Sequence, residues 1–176
     1  MLADSNSRRE SPVKILASAF VALLACGCVS VTSTEAPRHP PAAASPSEMR
    51  VAFDITDGNP KALMVKLATI DLTRKQLIDR GITPKMVLAF RGDASYYTQT
   101  DMSLVKEADR EDAAKIQAKI RELRAANGVD SVEQCTVPLA SRKINPSNLM
   151  PEVKLVQNGW IALAEYQEKG YSYIVP

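Results

Sequence analysis

The sequence predicts a single α/β domain, a mostly parallel five-stranded sheet with helices on both faces. Two observations lead to this fold class. Between residues 49 and 176, five short apolar segments alternate with longer segments whose apolar residues recur at helical spacing. Glycine or asparagine stands near the ends of the longer segments, as is common at helix C-termini. Alternating strands and helices form a parallel sheet because right-handed crossovers return each strand beside an earlier one.

Residues 1–28 have the profile of an export signal. Three basic residues precede an apolar run over 15–25, which is shorter than the ~20 residues that a membrane-spanning helix needs. The run ends in Leu-Leu-Ala-Cys, which resembles the lipobox of bacterial lipoproteins and marks Cys26 as the lipidation site. Cys28 is the second candidate for lipidation, and cleavage by an ordinary signal peptidase is the alternative for the whole leader.

Residues 29–48 are rich in Ser, Thr, Pro and Ala and lack the apolar periodicity that would bury a face. We expect this segment to be a disordered, solvated tether between the anchored amino terminus and the domain. The mature protein is therefore predicted to be exported and attached to a membrane through its lipid. It would face the periplasm or another extracytoplasmic space.

The domain is predicted to begin near Met49. Strands are expected at 50–55, 85–90, 129–135, 152–156 and 171–175, and helices at 61–80, 115–127 and 159–169. A short helical turn is expected at 147–150, and Asn158 should cap the last helix. The segment 94–106 is ambiguous, and we expect Tyr96 and Tyr97 to pack there as part of a lid or an interface.

Composition excludes several classes of function. With 22 basic and 20 acidic residues the net charge is +2, and there is no basic run with interleaved aromatic residues, so no nucleic-acid partner is expected. The single histidine, His39, precedes the domain, so the domain offers no imidazole for a metal, a triad or a general base. No glycine-rich phosphate-binding loop follows a strand, so the sequence does not support binding of a nucleotide or a dinucleotide. We therefore expect neither a metal nor another cofactor.

Cys135 is the candidate functional residue. It is the only cysteine outside the leader, and it stands at the predicted end of a strand. In a parallel sheet this is the edge where ligands and chemistry are found. Arg91, Arg142 or Lys143 within reach would favour a reactive thiolate, whereas a lone cysteine in a strand is more often an inert core residue. Disulfide chemistry is less favoured, because Cys135 has no partner at C-x-x-C spacing.

Four segments along the domain share their pattern with a known family. They are Leu-Ala-Phe-Arg-Gly-Asp-Ala at 88–94, Gly-Val-Asp-Ser-Val-Glu-Gln-Cys at 128–135, Met-Pro-Glu-Val at 150–153 and Glu-Lys-Gly-Tyr-Ser-Tyr-Ile at 168–174. As a set they resemble the DsrE family, the DsrE/DsrF-like or YchN-like sulfur-relay proteins, over about residues 49–176. The chain departs from that pattern at Glu152, where the family usually has glycine. It also departs at Thr136-Val137-Pro138, beside the candidate cysteine, which bears on the activity more than on the fold.

The resemblance implies that Cys135 carries sulfur as a persulfide between partner proteins. The supporting residues would be Arg91, Gly92, Arg142 and Lys143. Whether such a protein is an enzyme stays open, and the sequence does not identify the sulfur donor or acceptor. The alternative is a non-catalytic, oligomeric binding module that has kept the fold and lost the chemistry.

The same resemblance implies a homotrimer or homohexamer. Tyr96, Tyr97, Trp160 and the closing strand offer more apolar surface than one small domain needs to cover. We therefore expect these residues to contribute to the interface between copies of the chain.

Overall fold

Five strands and four α-helices form the part of the chain that this computed structural model describes, residues 46–176. The strands are β1 (Glu48–Ile55), β2 (Thr83–Phe90), β3 (Val129–Cys135), β4 (Lys154–Val156) and β5 (Ser172–Ile174). The helices are α1 (Pro60–Asp79), α2 (Arg110–Ala125), α3 (Val137–Ser141) and α4 (Gly159–Glu168). Short 3-10 helices lie at Gly92–Thr98, Glu107–Asp109 and Pro146–Asn148. The predicted leader with Cys26 and Cys28, and residues 29–45 of the predicted tether, lie outside the described residues.

The strands form one sheet in the order β4-β3-β2-β1-β5. Every pairing between these strands is parallel. Helix α4 connects β4 at one edge of the sheet to β5 at the opposite edge. The predicted fold class, a five-stranded parallel sheet with helices on both faces, is confirmed.

The two faces of the sheet are covered unequally. On one face, alternate strand residues join the apolar residues of α1 and α2 in a large core, and burial of each large side chain contributes about 1.5–3 kcal/mol. The other face is covered by α4, and its small core consists of Ala52, Val87, Ala89 and Leu163. Because the strand residues of this second core are small, the backbone of α4 lies close to the sheet.

An asparagine begins α4, and a glycine forms the turn that follows α2. The side chain of Asn158 accepts a hydrogen bond from the Trp160 amide at the start of α4, which confirms the predicted cap. Gly128 follows α2 with a φ of 91°, a conformation that favours glycine. A Cβ atom there would also overlap the Pro84 ring. The turn therefore requires glycine on two counts.

The structure corrects three local predictions. Helix α2 begins at Arg110 rather than at residue 115. The predicted start was too late because the first turn of the helix is charged and carries no apolar periodicity. Residues after Cys135 form helix α3, which was not predicted; Pro138 lies in its first turn, where proline is tolerated. Tyr97 is 3% exposed and donates a hydrogen bond to the Gly58 carbonyl oxygen at 2.7 Å. Tyr97 therefore belongs to the core and not to an exposed interface.

The chain enters the domain at the amino-terminal edge of the sheet. The carbonyl oxygen of Ser47 accepts a hydrogen bond from the Thr83 amide at 2.9 Å, just before the paired strands β1 and β2 begin. None of the helices between residues 46 and 176 is both long and apolar enough to cross a bilayer.

A pocket around Cys135 as the candidate functional site

Cys135 is the last residue of β3 and lies on the face of the sheet that α4 covers. Its neighbour in the sheet is Val156 of β4, and its side chain is 3% exposed. The first amide of α4, from Gly159, donates a hydrogen bond to the Cys135 Sγ at 3.0 Å. An N–H donor and the positive end of a helix dipole both stabilise negative charge, so this position suits a sulfur anion.

Gly159 allows this approach because it has no side chain. A Cβ atom at position 159 would stand 3.0 Å from the Cys135 Cβ and 2.6 Å from the Arg91 Cδ. Both distances are shorter than a normal carbon–carbon contact. Glycine at the start of α4 is therefore what allows the helix amide, the thiol and the Arg91 side chain to meet.

Arg91 follows the carboxyl end of β2 and is held by a buried carboxylate. Its Nε donates to Asp54 Oδ1 at 2.7 Å, and its Nη2 donates to Asp54 Oδ2. Asp54 is 2% exposed at the end of β1, so this bidentate pair has little solvent around it. The hydrogen bond to Asp54 outweighs the opposing effect of burial and raises the pKa of Arg91, and the nearby Cys135 also raises it.

Two aromatic residues complete this ion pair. The Trp160 ring centroid lies 5.4 Å from the Arg91 Cζ, within the range of a cation–π interaction. The Tyr173 hydroxyl of β5 donates to Asp54 Oδ2 at 2.6 Å, and this hydrogen bond is the main cause that raises the pKa of Tyr173. A chain of contacts therefore runs from the edge strand β5 to the wall of the pocket.

The pocket beside Cys135 has a volume of about 240 Å³. Arg91 and Arg142 supply its positive charge, Trp160 and Val137 its exposed apolar rim. Gly92, Pro138, Ser141 and Asn158 also line it. The pocket is large enough for a small group, such as a thiol-bearing side chain, to reach the sulfur.

Arg142 also lines the pocket and forms a second ion pair there, with Asp93. Its Nε and Nη2 donate to Asp93 Oδ1 at 2.9 Å and 2.6 Å. Asp93 is exposed, so this second ion pair lies in solvent and contributes less than about 1 kcal/mol to stability. It orders the rim of the pocket rather than the fold.

Of the predicted site residues, the structure brings Cys135, Arg91, Gly92 and Arg142 together around one pocket. Lys143 is exposed and is not among the residues that line it. Lys143 instead has a φ of 57° and closes the turn after α3, where its amide donates to the Ala140 carbonyl oxygen at 3.2 Å.

A buried polar network fixes the carboxyl end of β3 from the opposite face of the sheet. Gln134 is fully buried, and its Nε2 donates to Ser95 Oγ and to the Cys135 carbonyl oxygen, both at 2.8 Å. Thr98 Oγ1 lies 2.9 Å from Gln134 Oε1. Satisfied buried networks of this kind rigidify their surroundings, so the backbone at Cys135 is held in place.

Glu133 lies two residues before Cys135 on the same face of β3 and is 1% exposed. Its Oε1 accepts hydrogen bonds from Tyr166 at 2.7 Å and from Ser131 at 3.0 Å, and lies 3.6 Å from the Lys154 Nζ. Burial is the main cause that raises the pKa of Tyr166, and its hydrogen bond to Glu133 is the second cause.

Sequence reasoning missed three residues of this site, namely Asp54, Gly159 and Trp160 as a pocket wall. A carboxylate that alternates into a strand of apolar residues is a signal for Asp54, since buried carboxylates need a partner. Gly159 directly follows a capping asparagine, where alanine would be a better helix former. Among residues 46–176, no group of three or more His, Cys, Asp or Glu side chains is arranged to hold a metal ion.

Comparisons with known proteins agree with this fold. Residues 49–176 match the model of the DsrE/DsrF-like family. An uncharacterized protein of Aquifex aeolicus (strain VF5) is 27% identical over 128 residues, which cover 73% of this chain and 56% of that protein. The chain therefore spans little more than half the length of this relative.

A solved structure extends the comparison to the backbone. The protein of unknown function MTH1491 from Methanobacterium thermoautotrophicum matches with a TM-score of 0.52 and 16% sequence identity, over 73% of this chain and 99% of that one. At this identity the likeness concerns the fold alone. The family model matches residues 49–176, which is more than half of the chain, and this match shows that the chain belongs to the DsrE/DsrF-like family.

Proposed function

We propose that this protein is a sulfur-relay protein that carries sulfur on Cys135 as a persulfide. The observation that carries the proposal is the 3.0 Å hydrogen bond from the first amide of α4 to the Cys135 Sγ. A sulfur anion, either a thiolate or a persulfide, is the species that such a donor stabilises. Family membership and the adjoining Arg91 support the same function.

The proposed step moves one neutral sulfur atom from a donor persulfide in its protonated form, –S–SH, to the Cys135 thiolate, and the proton stays on the transferred sulfur. The Cys135 thiolate attacks the outer sulfur of a persulfide on a donor protein, and a new S–S bond forms at Cys135. The S–S bond of the donor breaks, and the donor cysteine leaves as a thiolate. No oxidant is needed, because one S–S bond replaces another. Transfer to an acceptor thiolate is the same reaction in reverse.

Mass spectrometry of the intact protein after incubation with a small persulfide tests the proposal. We expect a gain of one sulfur atom that a reducing agent reverses, and no gain in the Cys135→Ser variant. Arg142→Ala is a second variant, expected to load sulfur more slowly but to the same extent. A parent protein that gains no sulfur while a small-molecule thiol in the same mixture does so would contradict the function.

The second candidate function is a non-catalytic binding module of the same fold. It is favoured by the burial of Cys135, which is 3% exposed, because inert cysteines are commonly buried. Alkylation separates the two functions. A thiol that iodoacetamide modifies only after unfolding would leave the binding module as the better proposal.

We also propose that the mature protein is exported and anchored by a lipid on Cys26. The basic leader, the short apolar run and the Leu-Leu-Ala-Cys sequence support this. Metabolic labelling with palmitate should mark the parent and the Cys28→Ala variant but not Cys26→Ala. Label that is retained in Cys26→Ala and lost in Cys28→Ala would move the anchor to Cys28, and an unlabelled parent would remove the lipid.

Assembly into a homotrimer or homohexamer is the remaining part of the proposal. Trp160 and Ile161 at the start of α4, and Tyr173, Ile174 and Val175 at the closing strand, are large apolar residues between 42% and 69% exposed. Exposed apolar clusters of this kind commonly mark interfaces. Light scattering at micromolar concentration should give three or six times the chain mass, and a monomer would contradict the assembly.

A further inference from the structure

The charged wall of the pocket depends on a residue that does not line it. Asp54 lies at the end of β1, binds Arg91 through both carboxylate oxygens and accepts a further hydrogen bond from Tyr173. We propose that Asp54 is a positioning residue, which holds the Arg91 guanidinium beside Cys135 and thereby sets the reactivity of the thiol. The inference deepens the proposed function, since it concerns the same thiol, but its test needs no sulfur donor.

Arg91 needs such a partner because it would otherwise leave the pocket. A free arginine side chain has about 2 kcal/mol of rotamer entropy to lose when it is ordered, and a charge that is only 18% exposed has lost much of its water. The planar, bidentate contact with Asp54 fixes the orientation of the guanidinium as well as its position. Gly159 and Trp160 pack against the same side chain, but neither offers it a counter-charge.

The charges around the sulfur allow a positioning role to be separated from a simple charge effect. Arg91 and Arg142 line the pocket, and Asp93 neutralises Arg142 from its rim. Asp54 and Glu133 are the buried carboxylates on the same face of the sheet. A carboxylate that acted through its own charge alone would oppose the thiolate, so its removal would favour thiolate formation.

Removal of a positioning carboxylate has the opposite effect on thiolate formation at Cys135. Without Asp54 the Arg91 guanidinium turns towards solvent, and the sulfur loses a neighbouring positive charge. Thiolate formation is then disfavoured, just as it is when Arg91 itself is removed. The direction of the change in Asp54→Asn therefore distinguishes the two roles.

The experiment is the rate of Cys135 alkylation by iodoacetamide against pH, on the folded full chain of the parent, Asp54→Asn and Arg91→Gln. We expect both variants to move the midpoint of the profile to higher pH and to slow the reaction at neutral pH by about threefold to tenfold, equivalent to roughly half to one pH unit. Glu133→Gln is the matched control, since it neutralises the other buried carboxylate of this face and leaves the Arg91 pair intact. Its midpoint should stay with the parent or fall.

Arg91→Lys provides a second measurement that keeps the buried Asp54 carboxylate and a positive partner for it, in case Asp54→Asn does not fold. Lysine keeps the charge but cannot make the bidentate contact, so we expect a midpoint between those of the parent and Arg91→Gln. An Arg91→Lys profile that matches the parent, or an Asp54→Asn midpoint that falls or stays unchanged, would overturn the positioning role. So would a parent thiol that does not react while folded.

This outcome is independent of the sulfur-carrier function. If the midpoints rise as expected but no sulfur adduct forms on incubation with a persulfide, Asp54 positions Arg91 beside a reactive thiol of another function. If sulfur loads normally and the midpoints do not rise, the carrier stands and the positioning role is lost.

Discussion

Asp54 and Glu133 lie in one cross-strand row of the sheet, with only Ala89 between them. Both side chains are buried, and each accepts a hydrogen bond from a tyrosine hydroxyl. Their remaining partners differ. Asp54 is paired with Arg91 through both oxygens, whereas Glu133 Oε2 has no hydrogen-bond partner among the described residues. The carboxylate at one end of the row, Asp54, therefore has partners for both oxygens, whereas the carboxylate at the other end, Glu133, has partners for only one.

This difference predicts unequal costs of neutralising the two carboxylates. Asp54→Asn should lower the free energy of unfolding by about 3–5 kcal/mol, because it leaves Arg91 as an unpaired, partly buried charge. Glu133→Gln should cost less than about 1 kcal/mol, because the amide keeps an acceptor for the tyrosine and removes an undersatisfied charge. Urea unfolding of both variants measures this, and equal costs would contradict it.

Gly159→Ala tests whether the close approach of α4 matters. Alanine is the better helix former by about 1 kcal/mol, but its Cβ would press on Arg91 and Cys135, and such overpacking costs about 1–3 kcal/mol. We expect a net loss of stability together with slower alkylation of Cys135, since the amide is pushed away from the sulfur. Ala164→Gly, at an exposed position of the same helix, is the control for propensity and should leave alkylation unchanged. A Gly159→Ala protein that is more stable and equally reactive would show that the approach is not needed.

Asp71 predicts how stability depends on acidity. Burial alone would raise the pKa of this α1 carboxyl, but hydrogen bonds from Lys119 of α2, Lys75 and Arg74 outweigh burial and hold the pKa below its ordinary value. The unfolded chain therefore binds the proton first as the pH falls. The resulting stabilisation is present above about pH 4, the ordinary value for aspartate, and is lost progressively below it.

We expect Asp71→Asn to lower the free energy of unfolding at pH 7 by about 1.5–3 kcal/mol, as for hydrogen bonds between charged groups, and to flatten its dependence on pH below 4. Asp79→Asn, which removes an exposed carboxylate from the same helix, is the matched control. Denaturant unfolding at several pH values gives both quantities. An acid limb as steep in Asp71→Asn as in the parent would rule out this carboxylate as its source.

Trp160 predicts an optical signal for events at the pocket. It is the only tryptophan of the chain, it is 69% exposed, and its ring lies beside Arg91 in the pocket wall. Alkylation of Cys135 should therefore change the intensity of tryptophan emission in the folded protein. The Cys135→Ser variant treated in the same way should show no change, and an unchanged parent would place the bound group away from the indole.

The regular parts of this fold are predictable because their signals are local. Apolar alternation located the strands, and Asn158 and Gly128 marked helix boundaries through cap and turn chemistry that needs only neighbouring residues. Helix α3 escaped prediction because it is short and its few apolar residues show no period. Tyr97 was misjudged because an aromatic residue outside a regular element looks the same in sequence whether it packs inward or outward.

The site was predictable only in part for a different reason. Cys135 stood out because it is unique in the domain, and Arg91 because it follows a strand that ends near the same edge. Asp54 and Gly159 join them from distant parts of the chain, and nothing in their own neighbourhoods reveals the contact. Their roles come from the parallel register that aligns the ends of β1, β2 and β3.

The position of Ser47 has a practical consequence for work with the isolated protein. Strand β1 is eight residues long. At about 3.3 Å per residue, the point where the chain enters the domain therefore lies roughly 26 Å from the carboxyl ends of the strands, where Cys135 lies. A bead, an electrode or a supported bilayer that is linked through the residues before Pro46 is attached at the amino-terminal ends of the strands, on the side of the domain away from the thiol. Amino-terminal immobilisation should therefore present the pocket to the solution, whereas a tag after Pro176 would hang from the edge strand that carries Tyr173 and its contact with Asp54.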